Sequence, residues 1–471
     1  MKKTKVIATI GPATSGEDTL KELILAGVDV ARLNLTHATY PFCIEIIEKI
    51  RKISEKLDRN VAIMLDTQGP DIRVGEIAKG TAKLNKGDKI RVYKNEVLGD
   101  MTKFSLNDPA IVDDLKIGSK IYIDDGKVAL TVLTIGVGYA ICEVENEGYI
   151  SSHKSINVCG IVSNRAFLSQ KDKEDIKFAD MVKADYLALS FVSSSDDLLE
   201  VNDLLISLDN DHIRIISKIE TEKGVENIDE ILSESDGIMV ARGDLGVEIP
   251  MEKIPGIQKR IINKCIYSGK ISIVATELLS SMEKNPRPTR AEVSDVANAV
   301  IDGVDAVMLS GETTVGEYPI LTVMTMVRII KTAELNIDYL ELLEKAMRSE
   351  EPDVVGLIAF SVADCANRLC AKAIIVPTVS GATAKKMSRL RPSCPIIALS
   401  PNPTVIKSLA LYFGVIPILV KELKSFDKIT KSAIEVVSEK MELLPGDKVV
   451  ITGGYPFKEN SQTNFMKIEE I

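Results

Sequence analysis

Residues 213–250 read IRIISKIETEKGVENIDEILSESDGIMVARGDLGVEIP. Two short β-branched runs, Arg214–Lys218 and Gly237–Ala241, flank a segment, Gly224–Leu232, with the pattern of a helix. Strand, helix, strand without a hairpin turn predicts a parallel pair joined by a helical crossover. Each strand ends in charge, the first at Lys218 and Glu220, the second at Arg242, Gly243 and Asp244. The Gly243-Asp244 step predicts the opening of a short helix, whose free amides can hold a carboxylate.

The unit repeats in both directions. Further strands are expected at Lys5–Ile10, Val28–Leu35, Val61–Asp66, Tyr186–Leu189, Ser272–Thr276 and Ala306–Leu309. Helical patterns follow at Gly16–Ala26, Pro41–Leu57, Gln170–Val182, Asp196–Leu208, Ile254–Tyr267, Arg290–Ile301 and Ile320–Leu335. Eight strands, each followed by a helix, match an α/β fold of the closed (β/α)8 (TIM) barrel type, although an open doubly wound sheet gives the same short windows.

Between residues 75 and 166 the texture changes to alternating runs with Gly-Asp and Asp-Gly turns, as in NKGDKIRVY (85–93) and KIYIDDGKVALTVLTI (120–135). This predicts a small β-barrel lid inserted in the barrel. The stretch ELLEKAMRSEEPD (341–353) reads as a solvated helix and linker. A C-terminal α/β unit follows, with strands at Ala373–Val376, Pro395–Leu399, Gly414–Leu419 and Lys448–Thr452. The expected division is 1–71 with 168–340 for the barrel, 72–167 for the insertion and 341–471 for the C-terminal unit, with Gly75 and residues 164–169 as hinges.

The 471 residues exceed one compact core, and 45% hydrophobic with 27% charged residues is the composition of a globular chain. No apolar run approaches the roughly 20 residues of a membrane span. The opening MKKTKVIATIGP has too short an apolar run for a secretory signal, so the cytoplasm is the expected compartment. Seven scattered cysteines without a CxxC pair argue against a disulfide framework or a zinc site. A net charge of −10 and few aromatics disfavour a nucleic-acid partner, which needs clustered Lys and Arg.

In a barrel of this type the chemistry sits at the C-terminal strand ends. Those ends carry Arg32, Asn34, Thr36 and His37; Asp66, Thr67 and Gln68; Ser190; Lys218 and Glu220; Arg242, Gly243 and Asp244; Thr276 and Glu277; Ser310 and Glu312. So much charge at one mouth is costly unless a bound cation and a bound anion compensate. Glu220 and Asp244 are two carboxylates from adjacent strands, suited to Mg²⁺, which takes one or two carboxylates and keeps waters. Simple ion pairs with Lys218 and Arg242 are the alternative. Asp66 with Asn34, Thr36 and Thr67 forms an all-oxygen set with one formal charge, better matched to a monovalent cation. Arg32 and Lys218 then face a phosphoryl group, and Thr276 is left to orient a proton relay.

Along essentially the whole chain the sequence resembles the pyruvate kinase family. The resemblance rests on TKVIATIGPAT (4–14), GVDVARLNLTHA (27–38), MLDTQGPDIRVG (64–75), ISKIET (216–221), IMVARGDLGVEIP (238–250), VATELLSSM (274–282), RPTRAEVSDVANAV (287–300) and DAVMLSGETTVGEYP (305–319). It implies phosphoryl transfer between phosphoenolpyruvate and ADP, giving pyruvate and ATP. Lys218 would stabilise the transition state, and Arg32, Lys218, Gly243, Asp244 and Thr276 would contact phosphoenolpyruvate. Mg²⁺, with Mn²⁺ able to substitute, would sit on Glu220 and Asp244; K⁺ would sit on Asn34, Thr36, Asp66 and the Thr67 carbonyl. Asn34, His37, Arg73 and Lys171 would lie toward the nucleotide. In the family an acidic residue at the position of Asp71 accompanies potassium dependence.

The resemblance also implies a homotetramer and a phosphorylated allosteric effector held by Thr378, Ser380, Gly381 and Thr383 of PTVSGATAKKMS (377–388). An ordinary capped helix start is the plainer reading of that loop. Departures are Thr36 for serine, Ser193 for arginine, Glu277 for glutamine, and Lys458 and Ser461 where glycines are common; the last two argue against fructose 1,6-bisphosphate as effector.

Overall fold

The computed structural model describes residues 1–124, 126–158, 166–347, 353–421, 434–435, 437–438, 441, 443–455 and 462–471. Eight parallel strands close into a barrel: β1 Lys5–Thr9, β2 Val30–Asn34, β3 Ala62–Asp66, β4 Tyr186–Leu189, β5 Arg214–Ile219, β6 Gly237–Ala241, β7 Ile271–Ala275 and β8 Ala306–Leu309. They neighbour one another in chain order, and β8 closes on β1 with Lys5 opposite Ala306. The open sheet left possible by the sequence is therefore excluded.

Burial on both faces explains the continuous apolar runs. Ile7, Val30, Met64, Ala188, Ile216, Met239 and Ile273 belong to an inner core, whereas the alternate residues Val6, Ala31, Leu65, Leu189, Ile215, Val240 and Val274 pack in the core shared with the helices. The inner core continues through the barrel floor into the C-terminal unit, where Val362, Ile374, Leu409 and Val415 join the same cluster. Tyr186 pins this junction: its hydroxyl donates to the Ser408 carbonyl at 2.8 Å and accepts from the Leu411 N–H at 3.3 Å.

The insertion leaves β3 and forms a seven-stranded sheet and a two-stranded sheet around a separate core that includes Ile90, Phe104, Ile121, Leu130 and Val144. The C-terminal unit is a five-stranded sheet. Its last strand, Phe465–Glu470, was not expected; it pairs antiparallel with Lys448–Gly453, and its alternating FMKIEE pattern is the period-2 signal of a half-exposed strand.

Other expectations are corrected. The single helix expected over Gly224–Leu232 is two, Glu222–Glu226 and Ile228–Glu234, broken at Asn227, whose side-chain amide donates instead to the Ser193 carbonyl at 2.8 Å. The helix Tyr339–Met347 is not solvated all round, because Leu343 and Ala346 are buried. At Gly75 the N–H donates to the Ser105 carbonyl at 2.8 Å, and a Cβ there would stand 2.6 Å from Ser105 Oγ. The turn leaving β3 uses Gly69, at φ +71°, where a Cβ would lie 2.8 Å from the Ser190 carbonyl oxygen. Residues 164–165, Lys458 and Ser461 fall outside the described residues.

Candidate active site

Side chains at positions 218 and 220 leave β5 on the same side because strand residues alternate. Lys218 Nζ stands 2.9 Å from Glu220 Oε1, donates to Ser190 Oγ at 2.7 Å and lies 3.3 Å from Asp66 Oδ1. Asp66 in turn receives Arg32 Nε at 2.7 Å and stands 2.6 Å from Arg32 Nη2, while Arg32 Nη1 donates to Thr9 Oγ1 at 3.0 Å. Arg32, Asp66 and Glu220 are buried. The strands β1 to β5 thus deliver one linked network of alternating charge.

Burial opposes the charged form of Lys218, but Asp66 and Glu220 outweigh it and raise its pKa, so the ammonium stays charged at any working pH. Burial likewise opposes ionisation of Asp66, yet Arg32 and Lys218 hold its carboxyl below the ordinary range. Asp244 follows the C-terminal end of β6, in the helix Arg242–Glu248 at the same rim, and its charge also acts to raise the Lys218 pKa.

Glu220 is held in place by the Phe191 N–H, which donates to Oε2 at 2.6 Å. Phe191 has φ +59°, so the backbone bends out of its ordinary range to present that amide. Of the two ion pairs left as the alternative, that of Lys218 with Glu220 is present, whereas Arg242 turns elsewhere. Its Nη1 donates to Asp295 Oδ2 and its Nη2 to the Thr276 carbonyl, both at 2.6 Å.

Thr276 lies just beyond β7 rather than inside the expected strand, and both it and Glu277 have positive φ, +67° and +54°. Such backbone costs about 1–3 kcal/mol per residue and persists only where its surroundings impose it. Here Arg242 holds the carbonyl, and Thr276 Oγ1 accepts from the Gly243 N–H at 2.9 Å and donates to the Ala275 carbonyl at 2.6 Å. Gly243 and Asp244 open the helix Arg242–Glu248, as the sequence predicts.

The remaining expected residues are placed as follows. Asn34 Oδ1 accepts from the Thr36 N–H at 3.0 Å, and the Thr67 carbonyl accepts from Ser190 Oγ at 2.8 Å. His37 is exposed, yet partial shielding of its ring from water and the nearby Arg73 and Arg32 charges lower its pKa. Arg73 pairs with Asp71 at 2.7 Å and donates to the His153 carbonyl at 3.0 Å, linking the β3 exit to the insertion. Lys171 pairs with Asp175, donates to the Tyr40 hydroxyl at 3.2 Å and sits over the Tyr40 ring.

In the C-terminal loop Gly381 caps the helix Ala382–Arg389 at φ +82°. Thr378 Oγ1 accepts from the Gly381 N–H at 2.9 Å, and Thr383 Oγ1 lies 2.9 Å from Thr463 Oγ1. Both threonines are buried and Ser380 is exposed, so the loop's own hydroxyls are largely committed internally.

Sequence reasoning missed the supports. Ser190 stood among the strand-end residues but was given no role, although it bridges Lys218 and Thr67. Asp295, Tyr40 and Asp175 carried no local signal, because they act from helices brought near only by the closed barrel.

The donor sets can be tested against the cations the resemblance implies. Glu220 with Asp244 offers two carboxylates at one mouth, and the strained Phe191 amide fixes one of them, which fits a divalent ion that retains water. Around Asp66 the single negative charge is already balanced by Arg32 and Lys218, so the Asn34, Thr36, Asp66 and Thr67 oxygens suit a weakly hydrated monovalent ion rather than a divalent one.

A closed (β/α)8 barrel with buried cations and carboxylates linked at its C-terminal rim is the architecture of an enzyme acting on an anionic substrate. The family model described as "Pyruvate kinase, barrel domain" matches residues 1–323, and "Pyruvate kinase, alpha/beta domain" matches residues 357–469. The chain belongs to the pyruvate kinase family, whose members need divalent and monovalent cations. It is 43% identical to the pyruvate kinase of Clostridium perfringens over 474 residues, covering 100% of both chains. It is 43% identical to that of Geobacillus stearothermophilus over 472 residues, covering 100% of this chain and 80% of that one. The crystal structure of a pyruvate kinase from Cryptosporidium parvum superposes with a TM-score of 0.94 at 37% identity, covering 100% of this chain and 96% of that one.

Proposed function

We propose that this phosphotransferase moves the phosphoryl group of phosphoenolpyruvate to ADP at the rim built by β1 to β8. The observation that carries the residue assignment is the single network Arg32–Asp66–Lys218–Glu220, which sets two cations and two carboxylates around one opening.

In this reading Lys218 and Arg32 meet the phosphoryl oxygens, whose charge spreads in the transition state and is stabilised by cations already in place. Little reorganisation is needed, since Asp66 and Ser190 hold the ammonium. Glu220 and Asp244 hold Mg²⁺ or Mn²⁺, and Asn34, Thr36, Asp66 and the Thr67 carbonyl hold K⁺. The divalent ion supplies neutralisation of substrate oxygens when bound. The backbone of Gly243 and Asp244 at the start of the helix Arg242–Glu248 receives the substrate carboxylate, the Gly243 N–H being shared with Thr276 Oγ1. Departure of the phosphoryl group leaves enolpyruvate, and Thr276 Oγ1 orients the proton delivered to its carbon. Its hydroxyl is aimed by the Gly243 amide and the Ala275 carbonyl.

His37, Arg73, Asn34 and Lys171 face the nucleotide; for Lys171 this requires release from Asp175 and Tyr40. The division into barrel (1–71 and 168–340), insertion (72–167) and C-terminal unit (341–471) is supported by their separate sheets and by the insertion's own core, while the barrel and the C-terminal unit share one. The insertion closes over the rim and excludes water, which would compete as acceptor. A homotetramer, a cytoplasmic location and a phosphorylated effector at Thr378, Ser380, Gly381 and Thr383 rest on the family. Among the described residues no helix is long and apolar enough to cross a membrane.

The test is a coupled assay of ATP formation with phosphoenolpyruvate, Mg²⁺ and K⁺ each varied. ATP formation that requires all three supports the reading. Consumption of phosphoenolpyruvate without ATP would assign the barrel to a lyase instead.

A further inference from the structure

At the barrel floor, opposite the catalytic rim, positive charge gathers without enough carboxylate to balance it. Arg214 starts β5, Asp236 precedes β6 and Lys270 precedes β7; the three are neighbours because Ile216 pairs with Gly237 and Gly237 with Ile271. The helix Ala382–Arg389 of the C-terminal unit lies against this edge, with Arg389 Cδ 3.5 Å from the position of a Cβ on Gly269. One turn earlier, Lys385 Nζ sits 5.3 Å from the centre of the Tyr412 ring.

The partners of these cations are few. Asp236 accepts from the Ile215 N–H at 3.0 Å and stands 4.0 Å from Arg214 Nη1, the outer limit of an ion pair. Lys270 Nζ donates to the Ser235 and Ser233 carbonyls at 2.6 and 3.4 Å. Arg214 Nε is buried without an acceptor among the described residues. Lys385 is only partly exposed, and no carboxylate among the described residues pairs with it. Burial lowers its pKa, and the Arg214 and Lys270 charges lower it further, against partial relief from Asp236. Three cations around one carboxylate, partly removed from water, are unfavourable unless an anion joins them.

We propose that this cluster of side chains binds a phosphate-type dianion between the barrel floor and the helix Ala382–Arg389, with Arg214 offering its planar donors and Lys385 and Lys270 point charges. Arginine with lysine is the donor set that recognises phosphoryl oxygens. The site is distinct from the loop at Thr378–Thr383, since Lys385 lies further along the same helix and sits over the Tyr412 ring. A bound dianion would clamp that helix, and the loop that caps it, onto the barrel floor.

The test is calorimetric titration of the full chain, saturated with phosphoenolpyruvate and Mg²⁺, with inorganic phosphate and separately with methyl phosphate, at constant ionic strength. Saturable binding is expected, weakened about tenfold or more by Lys385→Met and by Arg214→Gln, restored by Lys385→Arg, and unchanged by Ser380→Ala. Binding of phosphate alone assigns the cluster to the free ion; binding of both assigns it to phosphate monoesters as well. If Lys385→Met does not fold, Lys270→Met takes its place. Absence of saturable binding, or binding equally tight in the Lys385 (or Lys270) and Arg214 variants, would overturn the proposal.

Discussion

Lys218 Nζ and Glu220 Oε1 are 2.9 Å apart, two residues along one strand, so β5 alone supplies both a cation and a carboxylate to the rim. The lysine stays charged because Asp66 shares it. Lys218→Met is expected to lower kcat about 10³-fold or more, the scale of losing a placed cation in phosphoryl transfer. The KM for phosphoenolpyruvate should change only a few-fold, since Arg32 and the helix amides remain. Steady-state kinetics check this, and near-normal turnover would remove Lys218 from the chemistry.

Glu220→Gln keeps the acceptor for the Phe191 amide but removes one of the two carboxylates at the mouth. The Mg²⁺ concentration for half-maximal activity should rise about tenfold or more, with Mn²⁺ partly restoring the rate. A metal titration at saturating substrates reads this. An unshifted titration would place the divalent ion elsewhere.

Thr276→Ala removes the hydroxyl that the Gly243 amide and Ala275 carbonyl aim. A loss of about 10²-fold in kcat is expected, and Thr276→Ser should stay within a few-fold of the parent. Solvent exchange of the pyruvate methyl protons, followed by NMR in D2O, should fall in parallel for the alanine variant. If it does not, Thr276 is structural.

The barrel floor and the C-terminal unit are joined by Arg391, whose Nη1 and Nη2 reach Asp305 at 2.7 and 2.8 Å. Both side chains are about 2% exposed. Asp305→Asn or Arg391→Met strands the other charge and should cost roughly 3–5 kcal/mol, whereas replacing both with apolar residues should recover much of it. Urea unfolding of the singles and the double forms the test; additive losses would show that the pair is not coupled.

Glu248 is pushed up to about 7, from an ordinary 4.5, by burial and by the charges of Glu222 and Glu220, with the Glu222 N–H opposing. The folded state therefore binds this proton more tightly than the unfolded chain. Its stabilising effect is complete below pH 4.5 and is lost as pH rises through about 7. In metal-free buffer, stability should fall more steeply from pH 5 to 7 in the parent than in Glu248→Gln. Parallel profiles would show that Glu248 titrates normally.

Much of the rim was legible because the residue types that hold phosphoryl groups and cations are few and recur at strand ends. Lys218, Glu220, Asp244, Arg32 and Asp66 all fall there. The true partners of Arg242, Asp295 and the Thr276 carbonyl, were not legible, since they lie 53 and 34 residues away along the chain. The split at Asn227 depended on a carbonyl 34 residues away, at Ser193, beyond the reach of a local pattern.

From the residues alone came the eight strand–helix units, the inserted β segment, the C-terminal α/β unit and the chemical types at each strand end, because periodicity and local charge are properties of a few neighbouring positions. Only the closed tertiary structure decided that β8 meets β1, that Asp66 lies between Arg32 and Lys218, and that Thr276 is forced to positive φ by Arg242. Those relations join residues roughly 30 to 300 positions apart. They are selected by the burial of two shared cores, and no single stretch of the chain encodes them.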